Sequence, residues 1–346
     1  PILTAPPTQN LEAYELVLRG NFHLQRRNEG PLKRSIGLFE QAIALDEHYG
    51  DAYVGLATAQ ALLPFYSYET AEETFNKALS TIEKGAKFDS SVPTKASGIK
   101  SFILYNSQWH WIESENGFRQ ALEYTPDNAE VLQWYSLFLG STGRFKDSLR
   151  VAERAQRLDP LSPVVNHRLA IAHLWASNDD EALRYLERAK ELGMPSASIP
   201  GAYIILMLRM GEKEKAKQVL GGVQQMLGLD SDWLDTLFLA LNDPELAPSA
   251  IASVKKAAES GDVPRLFLIG VWTYLQQYDR SMDVAFNLVR DRPNFNTEFL
   301  FSKESTGLRA NPRFEDLVQT IGLRQYWEAF EWPDMCHPKG ESVVCE

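Results

Sequence analysis

The side chains best suited to acid–base or metal chemistry near neutral pH are histidines, and there are six: His23, His48, His110, His167, His173 and His337. Two ligands on one helix face need a spacing of three or four residues. His167 and His173 lie six apart, which points to core or groove positions rather than metal ligation. Cys336, His337 and Cys345 offer three zinc donors, but a structural zinc site takes four and the sequence supplies no evident fourth. There is no phosphate-binding glycine loop, no GxGxxG after a strand, no HExxH and no GxSxG, the spacings that place nucleophiles, metals and phosphates in the common enzyme classes. No catalytic residue, no metal site and no cofactor is expected. Trp109, His110 and Trp111 form a candidate ligand box, although aromatics at a helix bend more often plug the gap between neighbouring elements. Packing is the expected role.

Composition narrows the classes further. The 346 residues are 44% hydrophobic and 23% charged, proportions of a folded chain rather than a disordered one. The net charge of -11 argues against a nucleic-acid surface, which needs clustered Lys and Arg. The basic residues are instead spread along helical patterns, as in Arg150, Arg154 and Arg157. The apolar stretches 203–208 and 266–275 fall far short of the roughly 20 residues needed to span a bilayer. Residues 1–10 read as a linker continuing from an upstream module, since no signal-peptide pattern opens the chain. Both cysteines, Cys336 and Cys345, lie in the last eleven residues. A disulfide closing a loop over Pro338 and Gly340 implies an oxidising compartment, and free thiols on a cytoplasmic tail are the alternative.

The elements that would carry these residues follow from an internal repeat. Ala121, Ala155, Ala189 and Val223 are 34 residues apart, as are Ser114, Ser148, Ala182 and Ala216, and Phe118, Ala152, Leu186 and Leu220. A 34-residue period with small residues at fixed places is the tetratricopeptide pattern of two antiparallel helices joined by a short turn. One such pair cannot bury its apolar face alone, so pairs stack. Gly143 and Gly211 fall at turns, where glycine tolerates the left-handed conformation of a helix end. The expected fold is all-α, a right-handed tetratricopeptide solenoid of about eight antiparallel helix pairs over residues 11–330. Residues 224–265 read as a degenerate copy, the turn at 26–31 as longer than usual, and 331–346 as a tail with a disulfide loop. Strand signals are nearly absent.

In such an array the first helix of each pair lines the concave face, where peptides or partner helices bind. Counting inward positions within those helices selects Gln133, Trp134 and Leu137 in one copy and His167, Arg168 and Ile171 in the next, with Asn21 and Tyr105 as additions. The bland alternative is that these side chains only solvate or seal the groove.

Two stretches carry a more specific resemblance. Residues 10–20, with Leu11, Tyr14, Leu16 and Gly20, and residues 38–46, with Phe39, Ala42 and Asp46, resemble the first repeat of a bacterial regulatory family. Near the C-terminus, Asn311-Pro312-Arg313-Phe314, Gly322-Leu323-Arg324-Gln325-Tyr326-Trp327 and Trp332-Pro333-Asp334-Met335-Cys336 resemble that family's end-of-array segment. The resemblance implies repeats that follow a TolB-like domain, with an N-terminal output module that is commonly a winged helix. Some members are membrane-anchored activators of the CadC type, and others carry a cyclase or kinase module. It implies a non-enzymatic sensory or protein-interaction domain with a protein, peptide or small ligand as partner, periplasmic if anchored in the CadC manner. Homodimerisation follows from the analogy alone. The competing expectation is a stand-alone periplasmic scaffold or assembly adaptor.

Overall fold

The computed structural model describes residues 7–67, 69–195, 199–291, 296–340 and 342–345. The described chain is helical apart from a C-terminal hairpin. Contacts divide it into two compact units, Pro1–Tyr135 and Ser136–Glu346.

In the first unit, α1 (Leu11–Leu24) pairs with α2 (Glu29–Leu45), and α3 (Gly50–Leu62) with α4 (Ala71–Phe88). A short α5 (Val92–Lys95) precedes α6 (Ser97–Gln108), which pairs with α7 (Trp111–Tyr124), and α8 (Ala129–Ser141) follows. The start of α1 has a local cause. Asn10 caps α1 by accepting the Ala13 N–H at 3.1 Å, and the buried Ala13, Leu16, Val17, Gly20 and Leu24 recur at the three- and four-residue spacing of one helix face. Of the expected linker, residues 1–6 lie outside the described residues, whereas Thr8 is bonded to Asp46 at 2.5 Å. Pro31 does not lengthen the α1–α2 turn as its sequence context suggests, because it sits inside the first turn of α2, where its missing N–H has no partner to lose. Phe39 is clamped between Gly20 and Gly55: a Cβ at either glycine would come within 2.6 Å of its ring.

In the second unit, α9 (Phe145–Leu158) follows α8 through the turn at Gly143. Then come the pairs α10 (Pro163–Trp175) with α11 (Asp179–Glu191), α12 (Pro200–Arg209) with α13 (Lys213–Leu227), α14 (Asp232–Asn242) with α15 (Ala247–Ser260), and α16 (Arg265–Tyr274) with α17 (Tyr278–Asp291). The pair α14–α15 falls where the repeat looked degenerate. Its two helices pack on each other, with Trp233, Leu234, Leu237 and Phe238 buried on the first and Ala250, Val254 and Ala257 on the second. Three short helices close the unit, α18 (Thr306–Arg309), α19 (Arg313–Thr320) and α20 (Leu323–Ala329), before the antiparallel strands β1 (Cys336–Lys339) and β2 (Ser342–Cys345).

The 34-residue period is visible in the packing. Ala121, Ala155 and Ala189 are 3%, 1% and 0% exposed, so the small positions are where second helices approach their neighbours. Ser114 and Ser148 are buried too, and each hydroxyl donates to a carbonyl of the preceding helix, Ser101 O at 3.0 Å and Ser136 O at 2.8 Å. That bond is what makes a polar group tolerable there. The same period governs the backbone: Trp109, Gly143, Ser177 and Gly211, successive turn residues, all have positive φ.

Candidate functional site

The eight residues expected on the concave face separate into two groups. Asn21 is exposed, and Gln133, Leu137, His167 and Ile171 are half-buried. Tyr105, Trp134 and Arg168 are each 4% exposed, and their side chains are internal. Tyr105 stacks on Trp111 at 5.9 Å and meets Phe102 edge-on, and Trp134 lies 5.8 Å from Phe102. These four rings belong to one aromatic layer of the first unit, so Tyr105 and Trp134 hold helices together and offer no surface. Trp109 and Trp111, stacked at 5.4 Å, extend that layer in the packing role expected of them.

Arg168 is internal for a different reason. Within the second unit the segment after α17 returns to the first helices of that unit and covers them. Glu298 forms an ion pair with Arg168 at 2.8 Å, with side-chain exposures of 1% and 4%. Arg168 also donates to the hydroxyls of Ser136 and Ser148. Further along, Glu304 takes Arg209 in a two-point contact at 2.5 and 2.9 Å. Burial alone would raise the Glu304 carboxyl, but the Arg209 guanidinium outweighs it and holds Glu304 below the ordinary range. Trp327 donates its indole N–H to Thr142 O at 2.9 Å, Arg144 donates to the Tyr326 hydroxyl at 3.0 Å, and Lys146 N–H donates to Asp334 at 2.9 Å. Gly143 is the pivot of this contact, since a Cβ there would meet Pro333 and Phe301 at 2.8 and 2.9 Å. Part of the surface expected to receive a partner is thus occupied by the chain itself.

The tail cysteines are bonded, Cys336 to Cys345, so both sulfurs are committed to each other rather than to a metal. They sit at the open end of the β1–β2 register. The hairpin is the one departure from an all-helical chain among the described residues.

A cleft of about 490 Å³ in the second unit is lined by Gln156, Leu161, Asn166, Arg184, Tyr185 and Arg188. It is built where α9 ends, where the loop into α10 turns, and along α11. Asn166 is wholly buried. Its amide donates both hydrogens, to Pro160 O at 3.0 Å and Ser162 O at 2.8 Å, which fixes its orientation. Its carbonyl oxygen is buried and accepts from no group among the described residues. Opposite it, the Arg184 guanidinium lies over the Tyr185 ring at 4.2 Å, and that ring stacks on His173 at 5.5 Å. Burial lowers the His173 pKa, leaving a neutral imidazole under the tyrosine at neutral pH. Asn166 directly precedes the pair His167 and Arg168 selected from the repeat. It escaped selection because inward positions were counted along the helix axis, whereas the cleft lies at the start of the helix. The signal available was an asparagine in the first turn after Asp159-Pro160-Leu161-Ser162.

No family model matches the chain, and no curated protein does. Solved structures resemble it at low identity. Yeast Tom70 is 14% identical over 94% of this chain and 70% of its own, with a TM-score of 0.42. Pseudomonas aeruginosa pilF is 16% identical over 86% and 97%, with a TM-score of 0.32. YrrB, described as a TPR protein with an unusual peptide-binding site, is 15% identical over 55% and 91%, with a TM-score of 0.32. The tetratricopeptide-type assignment rests on the 34-residue period and the helix pairs it produces.

Proposed function

We propose that this chain is a peptide- or protein-binding helical-repeat module whose ligand contacts the second unit at the cleft beside α10. The observation that carries this reading is the open cleft of about 490 Å³, lined by the exposed Leu161 and by the Arg184–Tyr185 stack. For an extended peptide, Leu161 and the Tyr185 ring offer apolar surface, and Arg184 and Arg188 offer charge. Ligand clefts combine apolar walls with a few polar groups in this way. Asn21, Gln133, Leu137, His167 and Ile171 remain candidates for contacts of the same kind along the first helices of the pairs.

The finer reading follows from the family-like segments at residues 10–20 and 308–336. In that reading, binding is relayed to an output module of a bacterial regulator, in the CadC manner. The Cys336–Cys345 bridge is consistent with an oxidising compartment such as the periplasm. A free-standing periplasmic scaffold is the alternative, and the coding sequence upstream distinguishes the two.

Affinity capture from the source organism tests the binding site. Leu161 is 67% exposed and Arg188 is exposed as well, so Leu161→Asp with Arg188→Glu should leave stability within about 0.5 kcal/mol and remove a specifically captured partner. Recovery of the same partner by this variant, with loss from a Gln133→Ala, His167→Ala variant, would move the site to the first-helix face. Recovery by both would refute both locations.

A further inference from the structure

Helix α1 is apolar on two opposite faces, and only one is covered among the described residues. Ala13, Leu16, Val17, Gly20 and Leu24 are buried against its neighbours. Leu11, Tyr14, Leu18 and Phe22 are 70%, 36%, 51% and 58% exposed, spaced three, four and four residues apart. At 3.6 residues per turn they form a single stripe on the side away from the buried one. Isolated exposed apolar residues need no explanation, but a continuous stripe of large ones marks a contact surface.

The charges beside the stripe indicate what it fits. Glu12, Glu15 and Arg19 are exposed along one flank of the helix, with the exposed Arg26 just beyond its end, so the acids precede the bases along the chain. Arg26 is held over the Phe22 ring at 4.6 Å, which keeps its charge beside the stripe. A flank divided in this way is complementary to itself when reversed. We propose that α1 is a homodimerisation surface, on which the α1 helices of two copies of this chain pack antiparallel about a twofold axis near residues 16 and 17. Leu11 of one copy then faces Phe22 of the other, and Tyr14 lies beside Leu18. Glu15 of each copy faces Arg19 of the other, twice by symmetry, because a twofold interface repeats every contact.

The helix is about 21 Å long, so this seam alone buries less than the roughly 1,200 Å² of a standard stable interface. Association is accordingly expected to be reversible and concentration-dependent. Sedimentation velocity of the whole chain from 1 to several hundred micromolar should follow a monomer–dimer equilibrium. Leu18→Glu, at an exposed position, should weaken the dimer at least a hundredfold with an unchanged circular dichroism melt. Arg19→Glu alone should weaken it about tenfold or more, and Glu15→Arg with Arg19→Glu should restore it, since exchanging the charges preserves the self-complementarity. A wild-type chain that stays monomeric throughout overturns the proposal and leaves the stripe to another occupant, such as a preceding segment of the polypeptide. A dimer indifferent to Leu18→Glu places the interface elsewhere. A double exchange as weak as Arg19→Glu alone rejects the antiparallel pairing.

Discussion

Arg168 and Glu298 meet at 2.8 Å with almost no side-chain surface in contact with solvent. Such a pair is a weak source of net stability, since desolvation offsets most of the attraction, but removing one partner strands the other in a low-dielectric interior. Glu298→Ala should therefore destabilise the second unit by about 3–5 kcal/mol. Arg168→Met combined with Glu298→Leu should recover most of that loss, because neither charge is then buried. Urea denaturation of the three proteins provides the comparison, and a Glu298→Ala variant within 1 kcal/mol of wild type would contradict the buried pairing. Trp134 illustrates the same distinction between position and role. Its place in the repeat is an inward one, yet the ring packs on Phe102. Its truncation would therefore be felt in folding before it was felt in binding.

At the scale of the helix pair, the recurring unit is a turn with one residue in the left-handed region. Gly143 and Gly211 occupy it at φ 81° and 77° without steric cost, whereas Ser177 occupies it at φ 60°. A side chain there costs roughly 1–2 kcal/mol relative to a right-handed conformation. The Ser177 N–H is bonded to Leu174 O, a backbone contact that a substitution of its side chain leaves in place. Ser177→Gly should therefore stabilise the second unit by about 1 kcal/mol, and Gly211→Ala should cost a similar amount. Thermal unfolding of the two variants settles both signs. Equal melting temperatures for Ser177→Gly and wild type would mean that the turn relaxes out of the left-handed region in solution.

At the scale of the whole chain, each unit has its own core, and the second is closed by its own C-terminal segment. Trp327 reaches Thr142, 185 residues earlier in the chain. The disulfide lies beyond this contact, in a hairpin whose Val343 N–H bonds to Glu315 at 3.2 Å. Because closing so short a loop constrains the unfolded chain by only about 2–3 kcal/mol, reduction should free the amides of residues 336–345 and leave the helices protected. Hydrogen exchange with and without reductant measures this. Loss of protection at α8 or α10 on reduction would show that the bridge supports the closure itself.

The sequence by itself determined the local and periodic features. Helix pairing follows from a 34-residue spacing of Ala, Ser and Leu, and the turns at Gly143 and Gly211 follow from the conformational freedom of glycine. A period reports what each residue does within its own repeat, where the partners are near in the chain and the same in every copy. It could not report the return of residues 297–334 onto α8 and α10, because Thr142, Arg144 and Arg168 meet partners 130 to 187 positions away that belong to no repeat. It therefore assigned Arg168 to an open face that the fold covers, and passed over Asn166. That carbonyl is distinctive only once both amide hydrogens are seen to be taken by Pro160 and Ser162. The exposed stripe on α1 has the same origin. Leu11, Tyr14, Leu18 and Phe22 are as apolar as Leu16 and Val17, and only the side on which α2 packs decides which set is left in water.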